Sequence, residues 1–416
     1  MFSKFGFLLR QGLRSIWFRP ALFTVAALAI TLITPVFDRF MPDAWEAVVK
    51  AETVDSILTI LASSLLAVAI FSLSTMVAAF RAASDSATPR ARPLVIEDET
   101  AQNAVATFIG AFLFSLLGII GLATNLYDDT GQVMLFVMTL VLIAIVVVML
   151  IRWIRTLSLM GDVGEAIQRV ENAGLTAFKA RLHAPNYGGR PARAFPQESW
   201  PVVTRQPGFV QVIDGNALLK VCKEQGVEID IVTPIGAFSD PASPLVRVTG
   251  ELEEDAIETV RNAFVTGPRR TYASDPHFAL IALAEIALRA LSPGVNDPGT
   301  AVEAVRSIER TLLGWRELSR QCEPEEPREG LYGPALDPAE MLGEPLLMIS
   351  RDGAGFYEVG ATLQAALAGL KAGDSEAFGK AADELSEEAF ERARQAMAYA
   401  SDVERLARKR RKSGFA

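Results

Sequence analysis

Four stretches of this 416-residue chain carry no charged residue for long enough to cross a bilayer: residues 21–37, 57–80, 104–123 and 133–151. A hydrocarbon core of ~30 Å takes about 20 helical residues, with a tolerance of a few. The first stretch is short, but Ile16, Trp17 and Phe18 extend it into the interface. It is not a cleavable signal, because Asp38, Arg39 and Phe40 follow where a small-residue cleavage pattern belongs. Four transmembrane helices are therefore expected within residues 1–155.

Basic residues set the expected orientation, since short cytoplasmic loops retain Lys and Arg. Lys4, Arg10, Arg14, Arg19, Arg81, Arg90, Arg92, Arg152 and Arg155 flank one side, whereas the other has only Arg39 and Lys50. Both termini are expected in the cytoplasm, and an even number of spans, which puts both ends on one side, agrees with that. No span contains Asp, Glu, Lys, Arg or His, the residues that proton relays and ion-coupled pumps place at membrane depth.

The second span is the most informative. Ser64, Phe71, Thr75, Ala78, Ala82 and Ser86 share one side of a helical wheel. Such a strip lets another helix approach closely, or lines a narrow hydrated pathway with Phe71 as its constriction. Ser64, Phe71, Ser72, Thr75 and Ala78 are the candidate pore-lining residues. The helix is expected to continue past the membrane until Pro89 stops it. In the third span, Ala106, Gly110, Gly118 and Gly121 make a close-contact face, while the fourth is apolar all round, as for a helix that meets lipid on most sides.

After residue 155 the chain turns polar and punctuated. Two domains are expected there, an α+β domain over 156–250 containing a small sheet or barrel, and a helical domain over 251–416. A connecting helix carries Val163, Ile167 and Val170, and β-branched runs at 202–204, 210–213, 227–232 and 245–248 read as strands, with a helix at 215–224. Helices are expected at 255–264, 276–291 and 298–318, then at 357–371 and 375–411 after an acidic, proline-containing linker at 321–340. Asp275 and Asp297 each precede a proline, as N-caps do. The last helix reads as solvated and able to pair with a symmetry mate.

Net charge of −9 and a pI near 5.1 argue against nucleic-acid binding. The terminal basic run, Arg405 and Arg408 to Lys412, reads as a solvated tail or a contact for anionic lipid. Cys222 and Cys322 lack CxxC spacing, and His183 and His277 are too few for a multi-histidine metal site. No nucleotide-binding, metalloprotease or nucleophile-elbow motif is present. The expectation is a protein that is not an enzyme, with no catalytic residue, cofactor or metal.

One polar cluster stands out: Arg270, Thr271, Asp275 and Phe278 at one helix start, and Ser292, Pro293, Asn296, Asp297 and Pro298 before the next. Pro presets φ, Gly and Asn tolerate positive φ, and Asn and Asp bond nearby backbone, so such a turn is rigid. Arg270 can bridge carboxylates or take an anion. The cluster reads either as a helix-helix corner, with Arg270, Asp275, Asn296 and Asp297 in one buried network, or as a ligand site. His277 is expected to bond to the cap at Asp275.

These residues, with Thr300 and Ala301, resemble the signature of the bacterial membrane-protein family known as domain of unknown function 2254. Further matches are Phe71-Ser72, Pro89-Arg90, Gln102, Phe108, Gly110, Phe112, Pro207-Gly208, Val210-Gln211 and Asp214, so the resemblance covers roughly residues 13–310. Two features depart from it. A glycine-rich turn appears as Gly236-Ala237-Phe238-Ser239 and Ala242-Ser243-Pro244-Leu245, having lost an acid and a glycine, and Glu285 stands where an aspartate is usual. The resemblance implies a bacterial inner-membrane location and supplies no ligand or reaction. The expected function is a homo-oligomeric channel or pore with a cytoplasmic regulatory domain. The alternative is a non-transporting scaffold or sensor whose cytoplasmic domain binds a partner or small ligand.

Overall fold

The computed structural model describes residue 25 and residues 50–86, 88–91, 93–94, 99–127, 129–159 and 162–415. The chain divides into two compact units, one holding the long apolar helices and one holding residues 88–91 and 166–415.

The membrane unit contains α1 (Ala51–Ser86), α2 (Glu99–Ala123) and α3 (Asp129–Leu159). Each includes a segment long and apolar enough to span a bilayer: Ala51–Ala79, Thr100–Ala123 and Gly131–Leu157, with mean hydropathies of 2.3, 2.3 and 3.3. At 1.5 Å per residue even the shortest, 24 residues, exceeds the ~30 Å core. Of the expected span at 21–37 only residue 25 is among the described residues. α2 is the packed centre: Ala101, Ala104, Ala106, Phe108 and Ala111 are buried, and Gly118 sits against Leu58 and Leu135. Small side chains let helices approach where no hydrophobic force separates lipid from protein, so dispersion decides the packing. α3 instead exposes Val137, Val141, Ile145, Val148 and Ile151, in keeping with its all-round apolar composition.

In the C-terminal unit α4 (Val163–His183) buries Ile167, Val170 and Phe178, and the Phe178 ring stacks on Trp315 at 4.6 Å. The β-rich part is two sheets, which replaces the expected single sheet or barrel. Five strands run in the order β1 (Arg190–Pro191), β8 (Leu331–Gly333), β4 (Ile229–Ile231), β6 (Pro244–Val248) and β2 (Trp200–Val203). Three more run β5 (Phe238–Ser239), β3 (Gly208–Ile213), β7 (Phe264–Gly267). β8 is parallel to both neighbours, so the five-stranded sheet draws strands from both sides of residue 250. α5 (Gly215–Gln225) begins at Asp214, whose carboxylate accepts from Ala217 N, and ends at Gly226, φ +64. α6 (Glu254–Ala263) stops one residue short of the expected 264, and the chain passes directly into β7.

The helical part is built round α7 (Pro276–Leu291), which buries twelve of its residues and is therefore apolar on nearly every side. α8 (Pro298–Gln321), α9 (Pro338–Asp352), α10 (Tyr357–Gly373), α11 (Ser375–Ala396) and α12 (Ala400–Lys412) follow. Three expectations are corrected. The stretch 321–340 is not merely a linker, because it supplies β8 and the start of α9. The helix expected over 375–411 is two helices, broken where Met397 and Tyr399 adopt extended backbone. The basic run is not a free tail either: Leu406 is buried and Arg410 donates to Ser386 Oγ at 3.1 Å.

Candidate functional site

A buried polar node forms where the N-terminus of α7 meets a loop of the three-stranded sheet. Asp275 Oδ1 accepts from Phe278 N at 3.0 Å, which caps α7, and Pro276 occupies the first turn, where an N–H has no helical partner. Arg270 donates through Nε to Asp275 Oδ2 at 2.7 Å and through Nη2 to Oδ1 at 2.8 Å. This is a bidentate, charge-assisted pair, and the Asp275 side chain is only 4% exposed. Gly236, at φ +90, passes directly over it: a Cβ there would lie 2.5 Å from Asp275 Oδ2 and 2.8 Å from Arg270 Nη2. Only glycine meets both demands, the left-handed backbone and the close approach. The turn at 236–239 and the cluster at 270–278 are thus one assembly.

His277 extends the node. Its Nδ1 lies 3.3 Å from Arg270 Nη2, and its Nε2 lies 2.9 Å from Glu344 Oε2. A guanidinium can only donate, so Nδ1 is the acceptor of that contact, while Nε2 is close to Glu344 without a hydrogen bond to it. The histidine joins Arg270 to α9, in place of the expected bond to the cap.

The same helix holds a segment from far upstream. Arg90 pairs with Glu285, Thr88 Oγ1 donates to Glu285 Oε2 at 3.2 Å, and Tyr272 Oη donates to the Arg90 carbonyl at 2.9 Å. Burial pushes the Tyr272 phenol above its ordinary pKa, with Arg90 opposing, so it remains a donor. Arg90 and Arg270 both approach the buried Phe278 ring, at 5.9 and 5.3 Å from its centroid. Residues 88–91, which follow α1 in the chain, therefore belong to the C-terminal unit, with Thr88 and Ala91 buried in it. Sequence reasoning noted Pro89-Arg90 and Glu285 separately and did not pair them, since no local signal links positions 195 residues apart.

The second half of the expected cluster is elsewhere. α7 has 16 residues, so its ends are about 24 Å apart at 1.5 Å per residue. Asn296 and Asp297 stand at the far end and are exposed, and the single network expected for Arg270, Asp275, Asn296 and Asp297 does not exist. The turn bonds to itself: Ser292 Oγ donates to Arg289 O at 2.6 Å, Asn296 N donates to Ser292 O at 2.9 Å, and Asn296 takes φ +52. Pro293 is exposed, and Pro298 opens α8, capped by Asp297 through Thr300 N at 3.1 Å. Thr271 Oγ1 is buried near the node without a hydrogen-bond partner.

Along α1, Ser64, Phe71 and Ala78 are exposed and Thr75 is half-buried, with Phe71 at 64% exposure. Ser72 is at 0%. It is turned about 100° away from Phe71, onto the packed side of the helix, whereas Ser64, Phe71 and Ala78 are on the exposed side. The side chains of Ala82 and Ser86 lie outside the described residues.

No curated protein and no solved structure matches this chain significantly. A family model does match, over residues 13–369, which takes in the membrane helices, both sheets, the Arg270–Asp275 node and most of the helical part. The chain belongs to the family described as predicted membrane protein (DUF2254).

Proposed function

We propose that the protein forms a homo-oligomer in the bacterial inner membrane, with both termini cytoplasmic, in which copies of α1 surround an axial pathway regulated by the C-terminal unit. The carrying observation is the uncharged α1 face on which Ser64, Phe71 and Ala78 stand exposed, with Phe71 its bulkiest side chain. A ring of such phenylalanines gates by dewetting. Regulation is supported by the grip of Glu285 and Tyr272 on Thr88 and Arg90. α1 ends at Ser86, so a rearrangement of that grip on Thr88 acts on the end of the helix that carries the span through a single intervening residue. The reading assigns the protein no catalysis and no cofactor.

One observation favours the scaffold or sensor alternative. Ser64 Oγ donates to Ile60 O at 2.7 Å and Thr75 Oγ1 to Phe71 O at 2.8 Å, so both hydroxyls are satisfied without water, as in a dry helix contact. Flux through reconstituted protein separates the two. The pore requires ion passage that Phe71→Ala raises and Thr75→Trp blocks with the oligomer intact. Dry packing requires silence in both wild type and Phe71→Ala, with Thr75→Trp breaking the assembly.

A further inference from the structure

Beside the node, on the other side of Ile235 and Ser274, lies a small cavity of about 40 Å³ whose polar lining is Arg181, Tyr187, Asn216, Ser274, Glu325 and Arg328. That space holds about three or four water-sized groups, at roughly 10–15 Å³ each. It is partly open to solvent on the side of Glu325 and Arg328, and apolar residues such as Val212, Ile213 and Ile235 complete its wall. Arg181 is 8% exposed; its guanidinium donates to the Pro334 carbonyl at a long 3.5 Å and lies over the Tyr187 ring, 4.0 Å from its centroid. Ser274 is 2% exposed, and its Oγ has no partner. Asn216 Oδ1 is also buried and unpartnered, and an amide flip turns two donors to the same place. Buried polar groups are normally hydrogen-bonded, so two unpartnered ones on one cavity, beside an Arg181 held by a long bond, ask for an explanation.

The arrangement favours negative charge. Gly215 and Asn216 are the first residues of α5, so the positive end of that helix faces the cavity, while its capping carboxylate, Asp214, is not among the lining residues. Of the charged groups, two are guanidiniums and one is a carboxylate. Glu325 lies 3.9 Å from Arg328 and 3.4 Å from His183, so it shares the Arg328 guanidinium and leaves Arg181 as the cavity's buried positive charge. The backbone is bent to build this wall: Asn186, Tyr187 and Gly188 take φ of +49, +63 and +83 in succession, which brings Tyr187 beneath Arg181. A Cβ on Gly188 would lie 2.9 Å from Arg328 Nη2, so glycine makes room for that guanidinium.

We infer that this cavity is a binding site for a compact oxyanion group, a phosphate or a carboxylate, held by Arg181, Arg328, Ser274 and the first turn of α5. The inference rests on the C-terminal unit alone and stands whether or not the spans conduct. The test titrates inorganic phosphate, sulfate and acetate into the purified full-length protein, by calorimetry and thermal shift, with chloride at matched ionic strength as control. Saturable one-site binding is expected for at least one of the three, and phosphate against acetate tells which class of oxyanion the site prefers. Loss of one charge-assisted partner is expected to weaken it at least about tenfold in Arg328→Gln and in Arg181→Gln. Ser274→Ala is the decisive variant, because removing an unpartnered hydroxyl leaves folding intact while weakening the anion about three- to tenfold. No saturation above the chloride control overturns the site. So does binding that Ser274→Ala and Arg328→Gln both leave unchanged, which marks an adventitious ion only.

Discussion

Asp275 and Asp297 perform the same local task at the two ends of α7 and differ in everything around them. Each precedes a proline, and each caps a helix through the amide three residues on, at 3.0 and 3.1 Å. Asp275 is buried, doubly bonded to Arg270 and covered by Gly236. Asp297 lies in an exposed turn, and its second partner is the Thr300 hydroxyl at 2.6 Å. The cap is written in adjacent residues, whereas the energetic weight of the carboxylate depends on whether a distant loop covers it. Water replaces a lost partner in the second place and cannot in the first.

The largest difference is expected from Asp275→Ala, which strips the cap and leaves Arg270, 21% exposed, without its counter-charge. Breaking a fully buried pair costs about 3–5 kcal/mol, and with Arg270 partly in water the low end, about 3 kcal/mol, is expected, read as lowered stability of the purified full-length protein in chemical or thermal unfolding. A loss no greater than that of a cap alone, about 1 kcal/mol, would erase the distinction between the two ends.

Gly236→Ala probes the cover. The new methyl must displace Asp275 or Arg270 and also hold φ +90, a conformation that costs a non-glycine residue about 1–3 kcal/mol. Combined with Asp275→Ala the losses are expected to fall short of the sum, because the methyl then no longer meets the carboxylate and only the Arg270 contact and the φ strain remain. Strict additivity would show that Gly236 and Asp275 are not coupled.

Asp297→Ala is the smallest, about 1 kcal/mol, as for an ordinary N-cap. The Thr300 hydroxyl and amide hold the Asp297 carboxyl below its usual pKa. A folded-state pKa that is depressed stabilises above the unfolded value, about 3.9, and the gain is lost as pH falls through the lowered folded value. The melting difference between wild type and Asp297→Ala should therefore be full near neutrality and close in acid below that range. A gap that persists in strong acid would assign the effect to backbone preference.

Legibility followed the range of the signal. The Asp-Pro starts of α7 and α8 are readable from neighbouring residues, and both capping bonds form. The same dipeptide, Asp337-Pro338, opens α9, with Asp337 accepting from Ala339 N at 2.9 Å. It was obscured by the acidic stretch before it and by Pro345 inside the helix. β8 is three residues long, too short for any alternation to show, and it is a strand because β1 and β4 flank it. At the node, Arg270 and Asp275 are five residues apart and could be paired on paper. Gly236 over Asp275, Glu344 beside His277, and Arg90 on Glu285 could not.

By itself the sequence determined that the chain enters a membrane, where most helices begin, and which family it belongs to. Those properties rest on runs of charge-free residues and on hydrogen bonds that reach three or four positions along the chain. Only the tertiary structure decided which aspartate is buried, that Ser72 turns inward while Phe71 turns out, that residues 88–91 are held by α7, and that Arg181, Ser274 and Arg328 surround one cavity. Burial and charge pairing depend on which distant segments arrive at a side chain, and packing of the whole unit settles that.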